Sequence, residues 1–426
     1  HFQILRCEKP KKLHPYLLLY LLNKPIVKRQ VDANIVIQST IPTIGDRTKD
    51  IIIFIPKSKE VRNKIIKNVK IILEGRASLR KEIDDIDSKL VQLLNERTKR
   101  VLGVARIKRR EKMAYYSPGR ERSILNRLIK ENKGPLSNEN LSEIIRFILK
   151  VSLSLEKKLR VVYFGPPATF THLAAMQNFG QEVNLVPAKS IAEIFARVEK
   201  KQADFGVVPV ENSTEGVVNY TLDMFLDSNL KICAEVILEI YHHLLGRGEL
   251  KEVKNVYSHP QALAQCRSWL EENLPKVRLL EVESTARAAQ LAAKEMGAAA
   301  IASDVAANLY KLNIMASRIE DLSNNYTRFL VIGREYSERS GEDKTSILFS
   351  IKDRIGALYD MLSPFRRNGI NLTKIESRPT KRKAWEYVFF VDFFGHKDEE
   401  NVKKALSELE EQCFFLRILG SYPAGG

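Results

Sequence analysis

The chain has 426 residues with a formal net charge of +17, 44% hydrophobic residues and 28% charged residues. This length predicts roughly three or four domains, and the composition excludes a collagen-like or largely disordered chain. The longest strongly apolar stretch, Tyr16 to Leu22, has seven residues, whereas a membrane-spanning helix needs about 20, so no such helix is predicted.

The basic charge is confined to the first part of the chain. Residues 1–160 carry 37 Lys and Arg against 17 Asp and Glu, whereas residues 161–426 carry 32 against 35. A protein that binds nucleic acid would interleave its cations with exposed aromatic residues or glycines. Those of residues 76–112 instead alternate with Leu, Ile and Val at helical spacing, which favours a helix with one core face and one basic face. A nucleic-acid binder stays an alternative, and lack of retention on DNA would exclude it.

Residues 1–75 match no pattern that we can name and are treated as an N-terminal extension of unknown role. They begin at His1 and contain short Ile-rich runs such as Ile51 to Ile55. A cloning or gene-start artefact is one interpretation. A targeting peptide is another, although such peptides are rich in Ser and Arg, and this segment is rich in Lys, Leu and Ile.

Three helices are predicted in residues 76–160. The first is a helix of about 34 residues from Leu79 to Lys112, about 50 Å long. Shorter helices are expected at Gly119 to Asn132 and at Asn138 to Leu159, the latter with Ser137 as N-cap. A helix of that length cannot bury its own apolar face, so the pattern predicts an intertwined dimer.

Several cations of this segment share a helix face. Arg97 and Lys108 are 11 residues apart, about 20° out of line. Arg80 lies 17 residues from Arg97 and would converge with it only from the antiparallel helix of a partner chain. On the third helix Ser152 and Glu156 stand one turn apart. A solvated helix with ordinary ion pairs explains these spacings on its own.

The motif LRKEIDDIDSKLVQLLNERTKRVLGVARIK (79–108), followed by YYSPGRE (115–121), resembles the all-helical chorismate mutase family. The resemblance implies that Arg80, Arg97 and Lys108 bind the substrate carboxylates and ether oxygen. It also implies that Arg120 and Glu121 lie on the hydroxyl side, while Ser152 and Glu156 close the pocket. Ser117 stands where the family often has Asp.

The chemistry of such a pericyclic rearrangement suits these residue types. It requires the reacting ends to be held together and the charge on the ether oxygen to be stabilised, without a nucleophile, metal or cofactor. Guanidinium groups match carboxylates bidentately. Glu156 would donate to the ether oxygen only when protonated, which predicts a mutase rate that falls as this carboxyl ionises.

From Arg160 onward the pattern changes to strands alternating with helices, which predicts an α/β domain of two lobes over residues 161–337. Strands are expected at 161–164, 205–210, 232–240, 253–257 and 298–302, and helices at 169–179, 262–273 and 285–296. Five motifs follow in order: GPPATFTHLAA (165–175), VVPVENSTEG (207–216), SHPQALAQC (258–266), ESTA (283–286) and NNYTRF (324–329). Each alone is explained equally well by helix capping or by a polar turn after a strand.

Together these motifs resemble the prephenate dehydratase family. The resemblance implies two lobes like those of periplasmic binding proteins, with the ligand in the cleft between them. Thr327 would act as general acid on the departing hydroxyl while loss of carbon dioxide drives aromatisation. The residues that the resemblance places around the substrate are Thr169, Asn212, Ser213, Ser258, Gln265 and Thr285, with Arg328 offsetting its charge. Ala168 stands where the family usually has Gly.

A polar linker, Ser337 to Lys344, leads into the last domain, residues 338–426, which then reads β-α-β-β-α-β, the order of a ferredoxin-like unit. GALYDMLSPF (356–365) and NLTKIESRP (371–379) resemble the ACT regulatory domain. The resemblance implies an L-phenylalanine site between two such domains. Its members would be Gly356, Ala357, Leu358, Asn371, Leu372, Glu376, Ser377, Arg378 and Pro379.

The sequence therefore predicts a cytoplasmic, feedback-regulated enzyme that converts chorismate to prephenate and then to phenylpyruvate, as a homodimer or higher homo-oligomer. An arogenate dehydratase, or lobes that only sense an amino acid, are the alternatives; an intact Thr327 argues against the sensor. The four cysteines lie far apart and are expected to be reduced. His242 and His243 should point to opposite faces of a strand, as a structural pair rather than a metal site.

Overall fold

The computed structural model describes residues 2–6, 52–56, 58–111, 113–322, 324–351, 354–379 and 387–425. The chain divides into two compact units, His1–Arg100 and Val101–Gly426. No helix in the described part of the chain combines the length and apolar character that a membrane span requires.

The first unit contains a two-stranded antiparallel sheet and most of a long helix. Strands β1 (Phe2–Arg6) and β2 (Ile52–Pro56) pair with each other. Helix α1 (Lys59–Arg110) has 52 residues, so the helix prediction is confirmed but its predicted start at Leu79 is wrong. Residues 59–78 contain no proline to end a helix, and the intervening Gly75 is tolerated. On α1 the residues Leu79, Ile83, Ile86 and Leu90 are each more than half exposed.

The second unit begins with the end of α1 and two further helices close to the predicted positions, α2 (Pro118–Glu131) and α3 (Asn138–Glu156). Ser137 caps α3, as predicted, by accepting a hydrogen bond from the Asn140 N–H, and Ser117, for which no cap was predicted, caps α2 by accepting one from the Arg120 N–H. Helix α3 buries Leu149, Ser152 and Leu153, whereas Phe147 on its other face is 68% exposed.

The two predicted lobes are confirmed, each built on its own sheet. The first-lobe sheet has the strand order β4-β3-β5-β13-β7, with β6 beside β5, and the second-lobe sheet has the order β10-β9-β11-β8-β12. The chain passes to the second lobe after β7 and returns before β13, so two connections join the lobes. The first-lobe elements are β3 (Arg160–Phe164), α4 (Phe170–Phe179), β4 (Asn184–Ala188), α5 (Ile191–Glu199), β5 (Phe205–Asn212), β6 (Gly216–Val217), α6 (Asn219–Asp227), β7 (Lys231–Glu239) and β13 (Tyr326–Gly333).

The second lobe departs from the prediction in its helices. The helix expected over 262–273 is two short helices that meet at Cys266, and the helix that starts at Thr285 ends at Ala292 instead of Met296. Its elements are β8 (His243–Gly246), β9 (Asn255–Ser258), α7 (Pro260–Gln265), α8 (Arg267–Asn273), β10 (Arg278–Glu281), α9 (Thr285–Ala292), β11 (Ala298–Ala302), α10 (Asp304–Tyr310) and β12 (Asn313–Ala316).

The C-terminal domain has the predicted β-α-β-β-α-β order in a four-stranded antiparallel sheet, β15-β16-β14-β17. Its elements are β14 (Asp343–Ile351), α11 (Ala357–Arg367), β15 (Leu372–Pro379), β16 (Tyr387–Phe394), α12 (Glu400–Glu410) and β17 (Cys413–Pro423). The predicted linker is shorter than expected, because β14 already begins at Asp343.

The C-terminal sheet packs directly on the first-lobe sheet. Leu330 and Ile332 of β13 share one apolar cluster with Leu348 and Phe390 of the C-terminal domain. At Gly420 of β17 an added Cβ would overlap the backbone carbonyl of Ile232 in β7, so the two sheets approach there as closely as glycine allows. The face of the first-lobe sheet that carries Leu330 and Ile332 therefore packs on the C-terminal domain, whereas the face that carries Phe329 and Val331 packs on α4.

Candidate active sites

A cavity of about 870 Å³ lies between the two lobes. The predicted residues Thr169, Asn212, Gln265, Thr285 and Thr327 all line it. Five side chains that are far apart in sequence thus converge on one cleft.

Thr327 and Asn212 face each other across neighbouring strands, in register. Asn212 Nδ2 donates to Thr327 Oγ1 at 2.8 Å. The orientation of this amide is fixed, because Asn212 Oδ1 accepts the backbone N–H groups of Thr214 and Glu215, each at 3.0 Å. Since the Thr327 oxygen accepts a hydrogen bond from Asn212, its own hydroxyl hydrogen is available to a ligand in the cleft.

A β-bulge brings Asn212 to this position. In a regular strand, residues three apart point to opposite faces. The pairing of β5 with β13 shifts register between Arg328 and Phe329, so that Pro209 and Asn212 both line the cleft. Bulges of this kind re-aim side chains beside active sites.

The hydrogen bonds continue from Asn212 into the second lobe. Asn212 Nδ2 also donates to Asn325 Oδ1 at 2.8 Å, and Asn325 Nδ2 donates to Gln265 Oε1 at 3.0 Å. Gln265 Oε1 is also 2.8 Å from His242 Nε2. Gln265 belongs to α7, so this chain of amides connects the two lobes across the floor of the cleft.

The cleft is electropositive. Thr169 caps α4 from the first lobe, and α9 starts at Thr285 in the second lobe, so two helix N-termini border the cavity. Lys189 and Arg287 add two cationic side chains, against the one carboxylate of the lining, Glu283, which lies 3.6 Å from Arg287. Helix N-termini and cations both favour an anionic ligand.

Lys189, Arg287 and His242 were not predicted as site residues. Arg287 stands two residues after Thr285, a spacing that could have drawn attention to it; Lys189 carries no such signal. His242 was predicted to be structural; it is buried and lies just before β8, and the two rings have different partners, Gln265 Oε1 for His242 and the Arg318 N–H for His243. Burial lowers the pKa of His242, so the ring is neutral near pH 7, and it lies at the cleft wall.

Three predicted residues are not in the cleft. Ser258 is fully buried and donates to the backbone oxygen of Ile301 at 2.8 Å, a structural contact. Ser213 holds the turn before β13, donating to Asn324 O and accepting from the Tyr326 N–H. Arg328 points from the opposite face of β13, because neighbouring residues on a strand alternate. The prediction that Arg328 offsets substrate charge is therefore not supported by its placement.

In the helical part of the second unit, Lys108 lies beside Glu156. Lys108 Nζ donates to Glu156 Oε2 at 3.1 Å and to the Tyr115 backbone oxygen at 2.9 Å. An ammonium group has three donors, so one N–H remains for a ligand. Ser152 is buried one turn before Glu156, and its hydroxyl donates to Ile148 O.

The remaining predicted residues of this region have distinct environments. Ser117 donates to Glu338 Oε2 at 3.0 Å in addition to capping α2, and Arg120 is exposed. In the first unit Arg80 is exposed and Arg97 is partly buried. Glu121 lines a cavity of about 180 Å³ together with Arg122, Arg146 and Lys150.

Glu121 should make stability depend on pH. Burial raises its pKa to about 7 from the ordinary 4.5, with Lys150 opposing the rise and Glu156 adding to it. The folded state thus binds a proton that the unfolded chain releases between these values, and the wild type loses up to about 3 kcal/mol of stability as pH rises through this window. We expect the stability of Glu121→Gln, relative to wild type, to increase by about this amount from pH 4.5 to pH 8 in paired urea titrations. Glu131→Gln, an exposed change on the same helix, is the control; an equal pH response of both variants would contradict the assignment.

The predicted effector residues surround the start of α11 and strand β15. Gly356 has φ +79°, a conformation that favours glycine, and ends the loop before α11; Ala357 is buried and Leu358 is exposed. The Asn371 backbone oxygen accepts from Phe394 N–H. On β15, Leu372, Glu376 and Arg378 are partly buried, whereas Ser377 and Pro379 are exposed. Arg378 pairs with Asp223 of α6 at 2.9 Å, so this strand also contacts the first lobe.

Family models match three consecutive parts of the chain: chorismate mutase type II over residues 79–157, prephenate dehydratase over 161–337 and the ACT domain over 345–411. A bifunctional chorismate mutase/prephenate dehydratase of Aquifex aeolicus is 53% identical over 356 residues, covering 82% of this chain and 98% of that protein. The protein of the same description from Escherichia coli K12 is 32% identical, covering 82% and 96%. A solved prephenate dehydratase from Arthrobacter aurescens in complex with L-Phe is 34% identical, with a TM-score of 0.59 over 62% of this chain and 90% of that one.

Proposed function

Because the chain belongs to the family of bifunctional chorismate mutase/prephenate dehydratases, we propose that its two reactions take place at the two sites described above. The enzyme rearranges chorismate to prephenate, then removes water and carbon dioxide to give phenylpyruvate, under feedback control by L-phenylalanine. The roles of individual residues and the assembly of subunits are our proposals.

At the mutase site we propose that Arg80, Arg97 and Lys108 hold the substrate. The guanidinium groups bind the two carboxylates, and the third N–H of Lys108 donates to the ether oxygen as the C–O bond breaks. Glu121 and Arg120 bind the hydroxyl side, and Ser152 and Glu156 close the pocket. The Lys108–Glu156 contact supports this, since it places the ammonium where one donor is left over.

The mutase site requires a second chain in this proposal. The residues Leu79, Ile83, Ile86 and Leu90 give α1 an exposed apolar stripe, and α3 exposes Phe147. Such faces are buried when two copies pack together. An antiparallel α1 from the partner would cover them and bring the partner's Arg80 to Arg97 and Lys108 of the first chain. Sedimentation analysis should accordingly find a dimer or a higher multiple.

At the dehydratase site we propose that Thr327 supplies the proton to the departing hydroxyl. The ring carboxylate leaves as carbon dioxide, the bond electrons move into the ring, and the C–O bond breaks as the oxygen takes the Thr327 hydrogen and leaves as water. Solvent returns a proton to Thr327. A hydroxyl is a weak acid, so its contribution depends on positioning and on the leaving group that decarboxylation pushes out.

The observation that carries this proposal is the Asn212 amide, which occupies the acceptor side of the Thr327 oxygen at 2.8 Å. The carboxylates of the dianion would be bound by Lys189, Arg287, Thr169 and Thr285, and the electropositive cleft suits such a ligand.

We place the enzyme in the cytoplasm, because Cys233, Cys266 and Cys413 are free thiols, as expected of a reducing compartment; Cys7 lies outside the described residues.

The direct experiment incubates the purified protein with chorismate and follows prephenate and phenylpyruvate separately, with and without L-phenylalanine. Accumulation of both products in sequence, with phenylpyruvate formation suppressed by L-phenylalanine, is the expected result. Prephenate that accumulates without further conversion would refute the dehydratase site, and an unaltered rate in L-phenylalanine would refute the effector site.

A further inference from the structure

The two strands that carry Thr327 and Asn212 also carry charged neighbours that point the other way. On β13 the residue after Thr327 is Arg328, and on β5 the residue before Asn212 is Glu211. The two neighbours are themselves opposite each other in the strand pairing, as Thr327 and Asn212 are. Both reach the C-terminal domain.

Arg328 is held in a nearly buried network of charges. Its Nε donates to Glu235 Oε2 at 2.7 Å, one terminal nitrogen donates to Asp392 Oδ2 at 2.6 Å, and the other donates to the Tyr422 hydroxyl at 3.0 Å. Lys344 pairs with the second oxygen of Glu235 at 2.7 Å. Glu235 comes from the first lobe, whereas Asp392, Tyr422 and Lys344 come from the C-terminal domain.

Arg328 also lies 3.8 Å from Glu211, which pairs with Lys374, so the charges of the linked network balance, with three cations and three carboxylates. The side chains of Arg328, Lys344 and Asp392 are 10 to 13% exposed, and that of Glu235 is fully buried. Burial alone would lower the pKa of Arg328, but Tyr422, Asp392 and Glu235 outweigh burial and raise it, so the guanidinium stays charged. A buried ion pair keeps its partners in contact, because separating them would leave an uncompensated buried charge.

Glu211 provides the second connection. Its carboxylate lies 2.8 Å from Lys374 Nζ on β15, the strand that also carries Glu376 and Arg378. Strands β5 and β13 are thus each tied to the C-terminal sheet at the residue next to a cleft residue.

We propose that Arg328 and Glu211 are positioning residues of the dehydratase, which fix Thr327 and Asn212 in the cleft because the C-terminal domain holds their side chains on the opposite face. The inference rests on the role proposed above for Thr327. Thr327 is the second residue of β13, paired with Asn212 of β5 on one side and Leu238 of β7 on the other, so its position depends on how these strands are held. A displacement of about 1 Å at a reacting group can lower a rate by about 100-fold.

Asp392→Asn tests the proposal from outside the cleft. It keeps the shape of the side chain but removes the charge that Arg328 contacts in the C-terminal domain. We expect the dehydratase kcat to fall about tenfold with KM for prephenate within about twofold, because the ligand contacts remain while the hydroxyl is displaced. The mutase rate of the same sample reports that the chain is folded and should not change. Glu408→Gln, which removes a carboxylate from the exposed Arg367 pair of the same domain, should leave both rates unchanged.

Lys374→Gln removes the cation that pairs with Glu211, and it tests the positioning role if Asp392→Asn does not fold. A loss of dehydratase kcat of about threefold or more supports the proposal, and wild-type kcat in a folded variant of either kind overturns it. A double-mutant cycle separates positioning from general support: Asp392→Asn should lower the residual dehydratase rate of Thr327→Val much less than it lowers the wild-type rate, because that variant has no hydroxyl to displace, and full additivity would overturn the proposal. If Thr327→Val itself keeps full activity, the role of Thr327 fails and the positioning role fails with it. If Thr327→Val is inactive while Asp392→Asn and Lys374→Gln match wild type, only the positioning role fails.

Discussion

Thr327→Val is expected to abolish phenylpyruvate formation while leaving the mutase reaction intact. Valine has the same shape as threonine but no hydroxyl, so the strand should keep its place and the departing oxygen should lose its proton donor. General acid catalysis contributes about 100- to 10,000-fold, and we expect a loss of at least about 100-fold in dehydratase kcat. The measurement is phenylpyruvate production from added prephenate, with prephenate production from chorismate followed in parallel.

The matched control is Thr373→Val, the same replacement at an exposed position on β15, which should change neither rate in the absence of L-phenylalanine. Thr327→Ser retains a hydroxyl and should keep part of the activity. Dehydratase activity near wild type in Thr327→Val would remove this residue from the mechanism, and the proton donor would then have to be sought among the other cleft residues.

Lys108→Met is expected to have the complementary effect, lowering mutase kcat/KM by at least about 100-fold without altering the dehydratase. The substitution removes the donor for the ether oxygen, an interaction that strengthens as negative charge develops there. It also leaves the carboxylate of Glu156, 12% exposed, without its cationic partner. Arg110→Met is the control, since Arg110 is an exposed cation at the end of the same helix. A mutase loss that is equal in the two variants would point to general charge rather than to Lys108.

Mixing Lys108→Met with Arg80→Met tests whether the mutase site is shared between chains. If each site takes Arg80 from one subunit and Lys108 from the other, a mixed dimer has one intact site and one site with both changes. After subunit exchange about a quarter of wild-type mutase activity should return, although each variant alone is inactive. No recovery in mixtures that demonstrably form mixed dimers would exclude the intertwined arrangement.

The sequence was most informative where local patterns decide the structure. Ser137 caps α3 as its position indicates, and the β-α-β-β-α-β order of the C-terminal domain can be read from alternating apolar runs. The start of α1 was predicted 20 residues too late, because Gly75 and Ser78 stand just before Leu79, whereas the apolar residues before them, such as Val61, Ile65 and Val69, continue the helical spacing.

The cleft was predicted only in part. Thr169, Asn212, Gln265, Thr285 and Thr327 stand in recognisable motifs, whereas Lys189 and His242 reach the cavity through the packing of two lobes, which no local pattern encodes. Arg328 shows the opposite error. Its place beside Thr327 in the motif suggested a shared task, yet the two-residue period of a strand sends it to the other face. That period was available from the sequence once β13 had been recognised.

The salt bridges that β13 and β5 make with the C-terminal domain also affect which catalytic and regulatory domains can be recombined. A regulatory module taken from another enzyme could join this chain at Ser337 to Glu342 and still fold, but without an acid in place of Asp392 and a base in place of Lys374 it would leave Arg328 and Glu211 unmatched. Recombination at that junction would then yield chimaeras with low dehydratase activity. Such chimaeras would be poorly regulated, because little activity is left for an effector to change. Catalytic and regulatory modules would consequently be expected to descend together, with compensating changes appearing in pairs across the junction.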